Sequence, residues 1–111
     1  MPADPLTSKQ RSHLRGLAHA LKPLLHVGKE GVSDDAVAAA TQAFQTRELF
    51  KIRVLEGAPE EARDSAHALA GRIPNTHVVQ VMGRNAVLYR PHPTAPEIRL
   101  PHPRKGARSG T

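Results

Sequence analysis

Between Thr7 and Arg90 the spacing of apolar residues switches repeatedly between a helical period and a strand-like one, then closes on two strand-like runs in succession. That order restricts the fold more than any other feature. Strands separated by a helix return in parallel, whereas runs joined only by Gly83, Arg84 and Asn85 must turn back antiparallel. The expectation is a compact single α/β domain in the order α-β-α-β-α-β-β, built on a mixed four-stranded sheet. With 111 residues the chain can bury one such core.

Local signals place each element. Thr7 with Gln10 forms a capping-box pattern ahead of Leu14, Leu17, Ala18 and Leu21, which predicts a first helix running to Pro23. Leu24 to Val27 is a short apolar run, and Ser33 is a good N-cap for a second helix that carries Val37, Ala40 and Phe44 inward and ends near Thr46. In the next strand, Leu49 to Leu55, alternation puts Phe50, Ile52 and Val54 on one side and Lys51 with Arg53 on the other. Pro59 suits the first turn of a third helix with Ala62, Ala66, Leu69, Ala70 and Ile73 inward, ending at Pro74-Asn75. Thr76 to Met82 and Ala86 to Arg90 form a hairpin. Residues 1–5 are read as an extension, 6–91 as the domain, and 92–111 as a Pro-rich basic tail, mostly flexible, whose Ile98 and Leu100 alone are suited to docking.

Charge is distributed unevenly. Net +6 overall resolves into +4 for residues 1–29, −3 for 30–75 and +5 for 76–111. The first helix and the C-terminal strands should therefore share a positive face, with the acidic middle turned away. At 100° per residue, Arg11, Arg15 and Lys22 fall on one side of the first helix and form a basic ridge. A polyanion is the expected partner, and aromatic residues are only 3% of the chain, so its phosphates rather than stacked bases should carry the contact.

Gly28-Lys29-Glu30-Gly31 lies between a strand and a helix start, where small residues let a phosphate approach and Lys29 supplies charge. Glu30, Asp34 and Asp35 would repel an anion set directly over the helix end, so phosphates are expected beside Lys29. Arg84 in the hairpin turn and Arg90 at the end of the last strand add long cationic side chains. Lys51 and Arg53 rank below these. Lys29 and Arg11 are both expected on exposed positions, forming one cationic rim with Arg84.

Taken together, Leu6-Thr7, Lys9-Gln10-Arg11, Leu14-Arg15, Leu21-Lys22-Pro23, Val27 to Val32, Glu48-Leu49, Lys51 to Val54, Gln80-Val81, Gly83-Arg84 and Val87 to Pro91 resemble the CRM domain in its bacterial single-domain YhbY form. The resemblance implies an RNA-binding fold similar to the C-terminal domain of translation initiation factor three. It also implies association with precursors of the large ribosomal subunit. Carried onto this chain, the RNA-binding residues would be Gly28, Lys29, Glu30 and Gly31 with Arg11, Arg15, Lys22, Arg84 and Arg90.

Other chemistries find little support. Cysteine is absent, and the seven histidines show no HxxxH or HExxH spacing, so neither a metal nor another cofactor is expected. With no Walker loop and no recognisable nucleophile order, the chain reads as noncatalytic; a small RNA-cleaving enzyme is the weaker alternative. No apolar run nears the roughly 20 residues of a membrane span, and a cytoplasmic monomer is expected. The other rival is a protein-interaction module on ribosomal particles, for which Phe50 and the sheet face are the best support.

Overall fold

The computed structural model describes residues 5–101. Helix α1, Ser8–Ala18, opens with the expected capping box: the Thr7 side chain accepts from the Gln10 N–H at 3.0 Å, and Gln10 accepts from the Thr7 N–H at 3.0 Å. It ends earlier than the spacing predicts. Pro23 disfavours helical geometry at Lys22, and the chain closes in a turn with the Leu21 N–H bonded to the Ala18 carbonyl, so Lys22 lies outside the helix. Strand β1, Pro23–Val27, follows, then α2, Asp34–Ala43, capped by the Ser33 hydroxyl on the Ala36 N–H at 3.1 Å. Strand β2, Leu49–Val54, leads to α3, Ala62–Gly71, whose N-cap is Glu61, so Pro59 precedes the helix instead of entering its first turn. The chain finishes with β3, His77–Met82, and β4, Asn85–Tyr89. Gly83, at φ +60°, takes the left-handed position of the tight turn between them.

The sheet order is β1-β2-β4-β3, with β1 parallel to β2 and the other pairings antiparallel. The mixed four-stranded sheet and the element order are therefore as expected. Each face carries its own core. On one side, α2 and α3 bury Ala40, Phe44, Ala66 and Leu69 against Phe50, Ile52, Val54 and Leu88. On the other, α1, the one helix on this side among the described residues, packs Leu14 and Ala18 on Leu49, Val79, Val87 and Tyr89. The acidic residues of α2 and α3 thus belong to the layer opposite α1, as the charge distribution anticipates. Phe50 is a core residue tilted against Phe44 at 4.6 Å between centroids, which removes it as support for a protein-contact surface.

Part of the stretch expected to hang loose is tied down. Glu48, only 6% exposed, accepts backbone N–H bonds from His92 at 2.6 Å, Glu97 at 2.9 Å and Ile98 at 2.7 Å. Ile98 and Leu100 pack on the α1-side core, and Gln10 donates to the Pro101 carbonyl at 3.0 Å. Residues 92–101 therefore form a docked strap. A flexible tail from residue 92 is corrected to that extent, because a buried carboxylate gathers the strap's N–H groups. The expectation for residues 102–111 lies outside the described residues.

Candidate nucleic-acid interface

The glycine loop is a tight turn in which the Gly31 N–H bonds to the Gly28 carbonyl at 2.9 Å. Gly31 has φ +68°, and a Cβ there would come within 2.8 Å of the Pro59 ring, so both backbone and space demand glycine. Gly28 differs: its added Cβ would meet only Leu55 Cδ1, at an ordinary 3.8 Å. The fold itself makes no demand for glycine at position 28.

Pairing fixes what lies beside this loop. The Leu55 N–H bonds to the Val27 carbonyl at 2.8 Å, and the Val54 N–H to the Arg84 carbonyl at 2.7 Å. The loop 28–31, the segment after β2 and the β3–β4 turn therefore meet at one end of the sheet. Lys29 and Arg84 share that end, both exposed; Arg84 reaches Glu56 only at 4.0 Å, a solvated pair of little energetic weight.

Helix α1 covers just half of its sheet face. Its core contacts gather around Leu49, Val79, Val87 and Tyr89, at the start of β2 and the end of β4. Among the described residues no helix covers the other half. There the register lines up His26 with Arg53, Arg53 with Asn85, and Asn85 with Met82, a row crossing all four strands. Pairing across the strands and alternation along them put this row on the α1 side, together with Lys51 and Gln80, which both pair to Val87. His26, Arg53 and Met82 are exposed, and the Asn85 Oδ1 is buried without a hydrogen bond among the described residues.

A model of the CRS1/YhbY (CRM) domain family matches residues 6–90. The chain belongs to this family. Over 96 residues, 86% of this CRM chain, it is 38% identical to the probable RNA-binding protein YqeI of Bacillus subtilis, covering 99% of that relative. An RNA-binding protein of Haemophilus influenzae is 35% identical over 96 residues, which span 86% of this chain and 95% of the relative. The solution structure of the hypothetical protein SAV1595 from Staphylococcus aureus superposes with a TM-score of 0.73 at 33% identity, covering 87% of this chain and all of the other.

The residues that sequence reasoning singles out in this CRM domain do not form one cluster. Gly28, Lys29, Glu30, Gly31 and Arg84 come together at the loop end of the sheet. Arg15 is exposed on α1. Lys22 precedes β1 and Arg90 follows β4, so both lie at the opposite end, where the Arg90 guanidinium sits 5.7 Å over the Phe44 ring. Arg11 is not on an exposed position. Its Nη1 donates to the Val78 and Val79 carbonyls at 2.8 and 2.7 Å, because the first turn of α1 passes against β3. The single rim expected for Lys29, Arg84 and Arg11 is thus corrected to Lys29 with Arg84, and Arg11 serves the edge strand.

Of the open row, only Lys51 and Arg53 are visible in the sequence, since His26, Asn85 and Met82 join it only through strand register. A bulge makes Val79 and Gln80 together face Val87, and no residue type in β3 announces it. The strap's anchor, Glu48, lies away from this surface. Burial is the largest single influence on it and pushes its pKa up, but three backbone N–H bonds and the nearby His92 together outweigh burial and hold it below its ordinary 4.5. Burial and the Glu48 charge raise the Tyr89 phenol above its usual value. No group of three or more His, Cys, Asp or Glu among the described residues is arranged to hold a metal ion, and no helix among them is long and apolar enough to cross a membrane.

Proposed function

We propose that this protein binds structured RNA through its sugar-phosphate backbone. The glycine loop with Lys29 and Arg84 grips at one end, and the open half of the sheet offers Lys51 and Arg53 as a cationic floor with the exposed His26 beside them. Arg15 extends this surface along α1, while Lys22 and Arg90 stand apart from it. The observation that carries the reading is the cross-strand row from His26 to Met82, left bare by α1 and opening directly onto the loop end. The names of the relatives point the same way, and the family resemblance extends the reading to large-subunit ribosomal RNA precursors as the target. The role is one of holding shape, without catalysis. Filter binding of a structured RNA across a salt series tests it: with about four phosphates neutralised, the logarithmic slope should be roughly −3 to −4. A slope near zero, or full affinity in a Lys29→Ala/Arg53→Ala/Arg84→Ala variant, would sink the proposal.

One observation favours a second reading, contact with a protein on ribosomal particles. Leu17, Leu21 and Leu24 are 45%, 37% and 40% exposed near the junction of α1 and β1, and Leu21 and Leu24 line a common shallow groove. Under that reading, Leu17→Ser/Leu21→Ser would abolish cosedimentation with ribosomal particles and leave affinity for free RNA intact.

A further inference from the structure

Along the outer edge of β3, between α1 and α3, run two adjoining grooves. One, of about 430 Å³, is walled by Arg11, Arg63, His67 and the strand segment 78–81. The other, of about 660 Å³, shares Arg11, His67 and Val78 and continues past Arg72 and His77 toward the turn at Asn75. Among the described residues neither lining contains an Asp or Glu.

The basic side chains differ in how far they are engaged. Arg72 is paired with Asp34 at 2.7 Å, and Arg11 holds two strand carbonyls through one nitrogen while its guanidinium retains further donors. Arg63 and His67, one turn apart on α3, are exposed and have no hydrogen-bond or ion-pair partner among the described residues. Two ready donors therefore overhang an edge strand whose far end, through exposed Val81 and Met82, runs into the turn bearing Arg84.

An open sheet edge could also accept an added peptide strand. Here two features oppose that. The bulge between Val78 and Gln80 breaks the regular spacing of N–H and carbonyl groups, and Arg11 already occupies the Val78 and Val79 carbonyls. What remains available is positive charge rather than a hydrogen-bonding template. We propose that this groove is a second phosphate-binding track, taking the backbone of an RNA strand that leaves the open sheet face past Arg84. The inference rests on the RNA-binding reading above and adds Arg63 and His67 to the contact surface.

The test uses the full chain, a hairpin RNA carrying a single-stranded uridine extension, and salt concentrations from about 50 to 200 mM. Arg63→Ala is compared with Arg47→Ala, which removes the same charge from an exposed position just before β2, at the other end of the sheet. Arg63→Ala should weaken binding several-fold and flatten the logarithmic salt slope by about 1, with Arg47→Ala close to wild type. Adding His67→Ala should weaken it further, and thermal melting should show every variant folded. If wild type binds with a steep slope but Arg63→Ala and Arg47→Ala behave alike, the track is wrong and the RNA-binding reading survives. If wild type itself fails to bind or ignores salt, both fall. Retained RNA affinity in Arg63→Ala/His67→Ala together with lost binding of an acidic peptide would overturn the track in favour of a protein ligand.

Discussion

Replacing Glu48 by Gln isolates the strap from the rest of the fold. One carboxylate oxygen accepts from both Glu97 and Ile98, and the other from His92. The amide keeps one oxygen for the first pair and must turn a nitrogen toward the His92 N–H. Hydrogen bonds to a charged acceptor contribute about 1.5–3 kcal/mol each and neutral ones about 1, while a buried donor left without a partner costs about 1–3. With the strap held in place these terms amount to roughly 3–5 kcal/mol. Release of residues 92–101 offers an escape, because Ile98 and Leu100 are only partly buried, and it limits the loss to about 2–3 kcal/mol. For a domain of this size that lowers Tm by about 10–15 °C. Hydrogen exchange should show the Glu97 and Ile98 amides losing protection while β2 and β4 amides keep theirs. Acid supplies an independent arm. Since the folded pKa of Glu48 lies below its ordinary 4.5, the strap's contribution is complete above that value and disappears as pH falls through the lower folded one. Wild type should therefore lose protection in the strap on acidification, and Glu48→Gln should show no such step. Equal protection of Glu97 and Ile98 in both proteins at neutral pH would refute the reasoning.

Gly31→Ala should cost roughly 2–3 kcal/mol in chemical denaturation, from left-handed backbone strain and the overlap with Pro59, whereas Gly28→Ala should leave the melt unchanged and weaken RNA binding. Arg11→Met should lower stability by about 2–3 kcal/mol, because two strand carbonyls lose a charged donor; a melt identical to wild type would return Arg11 to the solvent-exposed surface. Lys29→Ala/Arg84→Ala should leave Tm within about 2 °C of wild type, since both side chains are exposed, and reduce the magnitude of the logarithmic salt slope by about 2.

What the sequence discloses here depends on the range of the interaction. The caps at Thr7 and Ser33, the alternation of Phe50, Ile52 and Val54, and the turn at Gly83 are set by neighbours a few residues away, and each is legible. Helical geometry likewise places Arg11 and Arg15 near one another. It cannot tell that one of them meets β3 while the other faces water, because that is decided by the crossing of α1 over the sheet. Nothing next to Glu48, between Arg47 and Leu49, marks it for burial, because the strap that buries it arrives from the distant C-terminal stretch. The proposed contact surface is the least legible. Lys51 and Arg53 are visible as one face of a strand, but their alignment with His26, Asn85 and Met82 requires the strand order and the β3 bulge, neither of which leaves a local signature.

The closeness of Gly31 to Pro59 bears on how the protein is made. During synthesis the glycine loop emerges well before the proline that packs against it, and its parent strand β1 can dock only once β2 has appeared, because β2 is its one strand neighbour among the described residues. Parallel pairing of this kind closes a long stretch of chain and is slow to form. The nascent polypeptide therefore carries the loop before the surroundings that pack against it exist, and the loop's folded setting is complete only once β2 and Pro59 have been made.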